Sequence, residues 1–367
     1  MKRISMTILI LGLILISCKE KQEKLNEAPI LKIKELLSPK SKIKLSEIFR
    51  NYHLIPLETN DSCLIGGRGN KIVKHNSSIY ILSQNTILHF NQEGHYINKL
   101  SSIGNGPNEY PSIFDFDVLT INDEDEIWIS TSGGIKIYDV ETTLFKRKIS
   151  IDGHVNQFKY VNESTILAVT PEDFIFKVCN MDGTIRSQFI KKDIANSGQK
   201  FNQFFAINNL IVYQLDDTQQ GVVYNEKTDS MYYQDILEAT KTILTPQINR
   251  DYYERDGYTE QSKNVRDNYS CLSTVRTIGD NVILTIFSPN EKKEMIVGKR
   301  GEYTIYPYGE NSIIENDIVP TENLRFLSTI ICSNGDDSFL FMIPTISIDK
   351  KENVNEDDNP WLLEVTL

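Results

Sequence analysis

Six times along the chain, a short stretch of Asn, Asp, Gly or Ser is followed at once by a dense apolar run rich in β-branched and aromatic residues. Asn76-Ser77-Ser78 precedes 79–82, and the acidic stretch 122–126 precedes 127–129. Asn162-Glu163-Ser164 precedes 165–169, and Asn208-Asn209 precedes 210–213. Gly279-Asp280-Asn281 precedes 282–287, and 334–337 precedes 339–343. Asn, Asp and Gly tolerate the backbone angles of a tight hairpin, so each copy predicts two antiparallel strands joined by a turn. A third and a fourth strand follow in most copies, as in 87–90 and 96–100 around Asn91-Gln92-Glu93-Gly94. Period-2 alternation without a long amphipathic helix argues against a helical solenoid. Four short strands per unit, repeated around a ring, predict an all-β fold: a six-bladed β-propeller.

The two ends of the chain strengthen that reading. The sixth copy supplies two strands and then Trp361-Leu362-Leu363-Glu364-Val365, and stops without a fourth. Near the start, Tyr52-His53-Leu54-Ile55-Pro56-Leu57-Glu58 is a strand with no blade of its own. Placed as the outer strand of the last blade, it closes the ring and removes an unpaired sheet edge. Pro56 suits an edge position.

Before the domain lie two segments of a different kind. Lys2 and Arg3 precede an apolar run over 4–16, too short to span a bilayer comfortably but suited to a secretory h-region. The run ends in Leu15-Ile16-Ser17-Cys18, which resembles the lipobox of bacterial lipoproteins. The resemblance implies a signal peptide over 1–17 and two or three acyl chains on Cys18, more than the single chain that gives only marginal anchoring. Residues 18–47 are rich in Lys and Glu and read as a charged flexible tether, leaving 48–367 for the propeller. The Lys19-Glu20-Lys21-Gln22-Glu23 run resembles signals that send Bacteroidota lipoproteins to the cell surface, and a plain soluble linker fits it equally. The expected location is therefore a lipid-anchored place at the outer membrane, facing periplasm or cell surface.

A wider resemblance rests on Leu54-Ile55-Pro56-Leu57-Glu58-Thr59, Cys63-Leu64-Ile65-Gly66, the 90–94 turn and Gly104-Asn105-Gly106-Pro107-Asn108-Glu109-Tyr110. With the closing Asp358-Asn359-Pro360-Trp361, these motifs look like the Bacteroidota six-bladed β-propeller lipoproteins, distant relatives of NHL-repeat propellers. The resemblance implies the fold and says little about activity.

The chain carries 50 acidic against 39 basic residues, and no basic cluster lies in the body, which argues against a nucleic-acid partner. Cys63, Cys179, Cys271 and Cys332 are irregularly spaced with no CxxC, so neither zinc nor a disulfide framework is indicated. Histidines at 53, 75, 89, 95 and 154 form no metal-spaced pair, and no nucleophile elbow or phosphate loop occurs. No cofactor and no metal are expected. The runs 122–126 and 334–337 lack EF-hand spacing and read as solvated turns.

Propellers bind ligands on the face built by blade-to-blade links and second-to-third-strand turns, a warrant from fold alone. That face collects Arg68, Asn105, Glu109, Tyr110, His154, Glu172, Asp173, Asp216 and Asp217. It also collects an insertion over about 237–268 with Tyr252, Tyr253 and Arg255, read either as an aromatic ligand platform or as a cap packed on the rim. Glu109 has a structural alternative as a cap for backbone N–H groups of its own Gly-rich loop. Two readings of function stand. One is a binding or scaffold module for a glycan, peptide or partner protein; the other is a carboxylate-dependent lyase or hydrolase using Glu172-Asp173 and Asp216-Asp217. Cys18→Ala is expected to abolish metabolic lipid labelling and move the chain from the membrane to the soluble fraction, which fractionation of labelled cells checks.

Overall fold

The computed structural model describes residues 30–32, 36–37, 41–66, 71–191, 204–207, 210–215, 218–238, 267–289, 292–299, 302–308, 312–321, 324–328, 330–332, 338–348, 354–355 and 357–367. Its strands form six antiparallel blades, as the repeats predict. Blade one is Ile72–His75, Ser78–Ser83, Thr86–Asn91 and Tyr96–Leu100. Blade two is Asp115–Ile121, Glu124–Thr131, Gly134–Asp139 and Phe145–Ile149. Blade three is Gln157–Asn162, Thr165–Val169, Phe174–Cys179 and Ile185–Lys191. Blade four is Phe204–Ile207, Leu210–Gln214, Gln220–Asn225 and Ser230–Asp235, and blade five is Cys271–Ile278, Asn281–Ser288, Lys292–Lys299 and Glu302–Tyr308.

Blade six joins the two ends of the chain. Ile330–Cys332, Phe339–Ile343 and Trp361–Thr366 are its first three strands, and Asn51–Pro56 is the fourth. The register runs from Trp361 opposite Pro56 to Thr366 opposite Asn51, which places the closing strand where the sequence predicts it. Pro56, lacking an N–H, lies at the end of this edge strand.

Strand alternation explains how the blades pack. In the second strand of blade one, Ile79 and Ile81 join Leu340, Leu362 and Ile55 of blade six, while Tyr80 and Leu82 join Phe116, Val118 and Ile127 of blade two. In blade two, Ile127 and Ile129 look back at blade one and Trp128 looks forward to Phe158, stacked at 6.4 Å. Each sheet is thus apolar on both faces, and every junction around the ring, including blade six to blade one, holds a buried cluster.

The turn between third and fourth strands adds a second device. Gly94 (φ 86°) and Gly183 (φ 88°) occupy equivalent places in blades one and three. A Cβ on Gly94 would meet the carbonyl oxygen of Pro56 at 2.3 Å, and one on Gly183 that of Ser150 at 2.0 Å. Both glycines therefore permit a left-handed turn pressed against the preceding blade or the link just after it. Asn359, 2% exposed, serves the closure itself. Its Nδ2 donates to the carbonyls of Glu58 (2.6 Å) and Cys63 (2.8 Å), and its Oδ1 accepts from Ile65 N–H (2.7 Å). One amide thereby ties the entry of the C-terminal strand to the link that leaves the closing strand.

Two expectations change. The tether assigned to 18–47 falls outside the described residues up to 29, at 33–35 and at 38–40, but its described parts from Ile30 are joined to the propeller. Leu31 pairs with Leu237, Leu36 with Tyr303 of the outer strand of blade five, and Ile43 with Ile314, all in parallel. Leu31 is fully buried, and a short helix, Leu45–Ile48, sinks Leu45 and Phe49 into the junction of blades five and six. The pairing uses backbone groups, so a Lys-rich composition does not prevent it. The acidic run 122–126 is the second correction. Asn122 and Asp123, both at positive φ, make the turn, but Glu126 already belongs to the strand and is 2% exposed. It accepts from Arg147 (2.5 and 2.8 Å) and from Trp128 Nε1 (2.9 Å). Burial alone would raise its carboxyl; the bonds from Arg147, Lys146 and Trp128 outweigh it and hold the group below its ordinary value. The companion run 334–337 lies outside the described residues.

Cys63, Cys179 and Cys271 are buried free thiols, and burial pushes Cys179 up to about 11. They pack as small hydrophobes.

Asn359→Ala strands two buried carbonyls and an N–H, so about 2–3 kcal/mol of stability is expected to go, measurable by denaturant unfolding. A pH dependence follows from His89, which stacks on Tyr80 at 4.4 Å with its ring nitrogens 3.0 Å from Ser78 Oγ and 3.2 Å from Asn98 Oδ1. Burial lowers its imidazole below the ordinary 6.5. The stability it supports is complete above 6.5 and is lost as pH falls through the lower folded value. Melting temperatures across that window are expected to fall less steeply in His89→Phe than in the wild type.

Candidate functional site

Among the described residues, the innermost strand of blade two carries two buried carboxylates. Asp115 and Asp117 are two apart on the first strand of blade two, so both face blade three, while Phe116 and Val118 face blade one. Asp115 Oδ1 takes Lys71 Nζ at 2.7 Å from the blade-one side, and its Oδ2 accepts from Phe158 N–H of blade three at 3.2 Å. One carboxylate thus links three blades. Burial pushes the Asp115 carboxyl up, against the opposing pull of Lys71. Lys159 of blade three lies 3.9 Å from Asp117. Lys74 donates to Glu364 of blade six at 2.6 Å, and there burial is outweighed by bonds from Lys74 and Ser338, so the carboxyl sits below its ordinary value. These residues were not singled out from the sequence. The legible signal was charge at alternating positions of an inner strand, where apolar residues are expected.

Several predicted site residues prove to be braces. Glu109 Oε2 accepts from Gly106 N–H at 2.9 Å, as expected of a cap, and a Cβ on Gly104 would meet the same oxygen at 2.0 Å. Tyr110 is fully buried, its hydroxyl 3.1 Å from the carbonyls of both Leu100 and Asn85. Tyr138 donates to the Asn108 carbonyl at 2.9 Å, and Lys136 Nζ reaches the carbonyls of Pro107 and Glu109. Asn105 is exposed at the loop tip.

The structure brings His154, on the link between blades two and three, into one region with Glu172 and Asp173 of the turn between the second and third strands of blade three. His154 is exposed, its ring edge-on to Phe114 at 5.9 Å and its Nδ1 3.4 Å from Ser132 Oγ. Next to it, Gly153 (φ 88°) lies against Glu172, whose Oε1 would be 1.4 Å from a Cβ at that position. Glu172 Oε2 accepts from Lys177 Nζ at 2.5 Å, and the same ammonium donates to the Asp152 carbonyl at 2.7 Å. Lys177 is 3% exposed at the side chain, on the face of blade three that packs against blade two. Around it opens a depression of roughly 460 Å³ with Glu172, Asp173, Phe174, Lys177 and Gln188 in its wall. Gln188 stands beside Lys177 across the outer strand pair. Sequence reading found the two acids of this depression and missed the lysine, which looks there like an ordinary polar position of a strand.

Arg68, Asp216, Asp217, Tyr252, Tyr253, Arg255 and Cys18 lie outside the described residues. Among the described residues, no group of His, Cys, Asp and Glu is arranged to hold a metal.

Residues 28–366 match the family described as a domain of unknown function, DUF4934. Among solved structures, a Bacteroides fragilis protein described as exported superposes with a TM-score of 0.72 at 17% identity, covering 92% of this chain and 99% of that one. A member of the DUF4221 family from Bacteroides vulgatus gives 0.53 at 10% identity, covering 87% and 96%. Both show a shared fold. Non-structural protein 1 of Rotavirus A is 24% identical over 161 residues, 44% of this chain, and the match spans about a third (33%) of that curated relative's length.

Lys71→Met leaves Asp115 buried without its cation, and a loss of about 3–5 kcal/mol is expected in equilibrium unfolding.

Proposed function

The chain belongs to the DUF4934 family of domains of unknown function, and we propose that it is a lipid-anchored binding or scaffold propeller of the cell envelope. It holds a glycan, peptide or partner protein on the face built by its blade-to-blade links. Cys18 attaches it to the outer membrane, facing periplasm or cell surface. The lipobox-like segment supports the anchor, and the fold shared with a Bacteroides fragilis protein described as exported supports a place outside the cytoplasm. Kinship with NHL-like propellers belongs to the same reading.

The observation that carries binding over catalysis is the Glu172–Lys177 pair in the open depression of blade three. Carboxylate chemistry needs one acid free to give a proton and another free to attack or to activate water. Glu172 instead has one oxygen on Lys177 and the other against Gly153, which leaves the exposed Asp173 with no second free acid beside it among the described residues. What faces outward is a polar surface on a rigid sheet, which suits recognition.

Fragments of envelope polysaccharide and peptidoglycan, added to the purified full-length chain, are expected to raise its melting temperature in proportion to occupancy. Phe174→Ala is expected to shrink that shift while leaving the unliganded melting temperature nearly unchanged. Steady release of new reducing ends or free peptides from the same fragments would replace binding with catalysis.

A further inference from the structure

We propose that the depression on blade three is a site for a neutral saccharide, a step that rests on the binding reading and names its ligand class. Lys177 Nζ is buried, lines the depression, and spends two of its three N–H donors on the Asp152 carbonyl and Glu172. Among the described residues, the third donor meets no acceptor. Lys177 lines the depression, so that donor is available to an acceptor atom on whatever enters. Beside it stand Glu172 and the exposed Asp173, which only accept.

The charges decide the class. An anion satisfies Lys177 but is repelled by two carboxylates; a cation satisfies Asp173 but meets the ammonium and leaves its free donor unmatched. A hydroxyl does both at once, accepting from Lys177 while donating to a carboxylate. Vicinal hydroxyls on a ring repeat that pairing at the spacing of neighbouring side chains. Gln188 adds an amide with both a donor and an acceptor at the rim. Phe174, half-buried in the wall, offers an apolar surface for the C–H face of a sugar ring. The volume, roughly 460 Å³, lies within the range of about 300–1,000 Å³ usual for small-ligand sites. Gly153 keeps the wall in place, because any side chain there would displace Glu172 from Lys177.

The test is saturation-transfer NMR on the full-length chain in detergent micelles. The probes are neutral hexoses, N-acetylhexosamines and their disaccharides, set against glucuronate, glucosamine, and short acidic and basic peptides. Saturable binding of neutral sugars is expected, with glucuronate and glucosamine at least tenfold weaker. Asp173→Ala and Phe174→Ala are each expected to weaken it at least tenfold with the melting temperature unchanged. Lys177→Met is expected to abolish it; should that variant fail to fold, the two rim variants decide. No binding of any neutral sugar, or binding untouched by the rim variants, overturns the saccharide assignment. If a charged sugar or a peptide binds instead and Phe174→Ala removes it, the class is wrong and the binding reading survives. If no probe binds and envelope fragments leave the melting temperature unmoved, both fall.

Discussion

Everything in this molecule depends on one ladder of backbone hydrogen bonds, the pairing of Asn51–Pro56 with Trp361–Thr366. A row of two-faced sheets has two terminal faces, and each is apolar because the repeat makes every blade alike. Only by bending the row into a ring can both be covered, and the ring stays shut because its two ends share blade six. The seam is reinforced where it is most exposed to fraying. Asn359 holds the link beyond the closing strand, and Gly94 lets the next turn press onto Pro56. Around the closed ring, inner-strand charges such as Lys71 and Asp115 add directional contacts between blades that otherwise meet through interchangeable apolar surfaces. Such pairs add little net stability, since desolvation consumes most of the Coulombic gain, but removing one partner leaves an uncompensated buried charge.

How much of this was legible follows from which signals side chains carry. Blade repeats were legible because a hairpin turn and a two-faced strand both constrain residue type: Asn76 and Asn122 sit at positive φ, and Ile79 and Tyr80 face opposite neighbours. Closure was legible by subtraction, from a blade lacking one strand and a strand lacking its blade. The strap made by the pairings at 31–32, 36–37 and 43–44 was not. It joins the propeller through two-residue parallel ladders that engage N–H and C=O groups, and such contacts ask almost nothing of the side chains. A run such as Ser41-Lys42-Ile43-Lys44 therefore reads the same whether it is paired or solvated.

The site was half legible for a related reason. Acids in loops draw attention, so Glu109, Glu172 and Asp173 were all found, yet nothing in the sequence separates a carboxylate that braces a loop from one that lines an opening. The difference lies in the partner. Glu109 is answered by a backbone N–H three residues away, whereas Glu172 is answered by Lys177, one strand on. Lys177 lies between Phe176 and Val178, where alternation marks a polar residue as outward-facing. In a propeller both faces of a sheet look at neighbouring blades, so a polar residue there is buried unless a gap opens beside it. Charge on an inner or middle strand is therefore more informative in this fold than charge in its loops, and Asp115, Asp117 and Lys177 all obey that rule.

The strap also bears on how the closed ring meets the rest of the chain. The closing strand is the part of blade six nearest the N-terminus in sequence, so without further contacts any pull from that side would act on the seam directly. Instead the chain is held first at Leu31 beside Leu237, then along Tyr303, then at Ile43 beside Ile314. Ser46 is fastened to Asp317 by its N–H (3.0 Å) and its hydroxyl (2.6 Å) before the strand begins. Leu45 and Phe49, fully buried, add an apolar plug at the same place. A load arriving from residue 30 thus has to peel several independent attachments on blades four to six before it reaches Asn51. Each attachment is short and weak alone, but their order along the chain makes them act in sequence, and the ladder that shuts the ring is the last to feel the force.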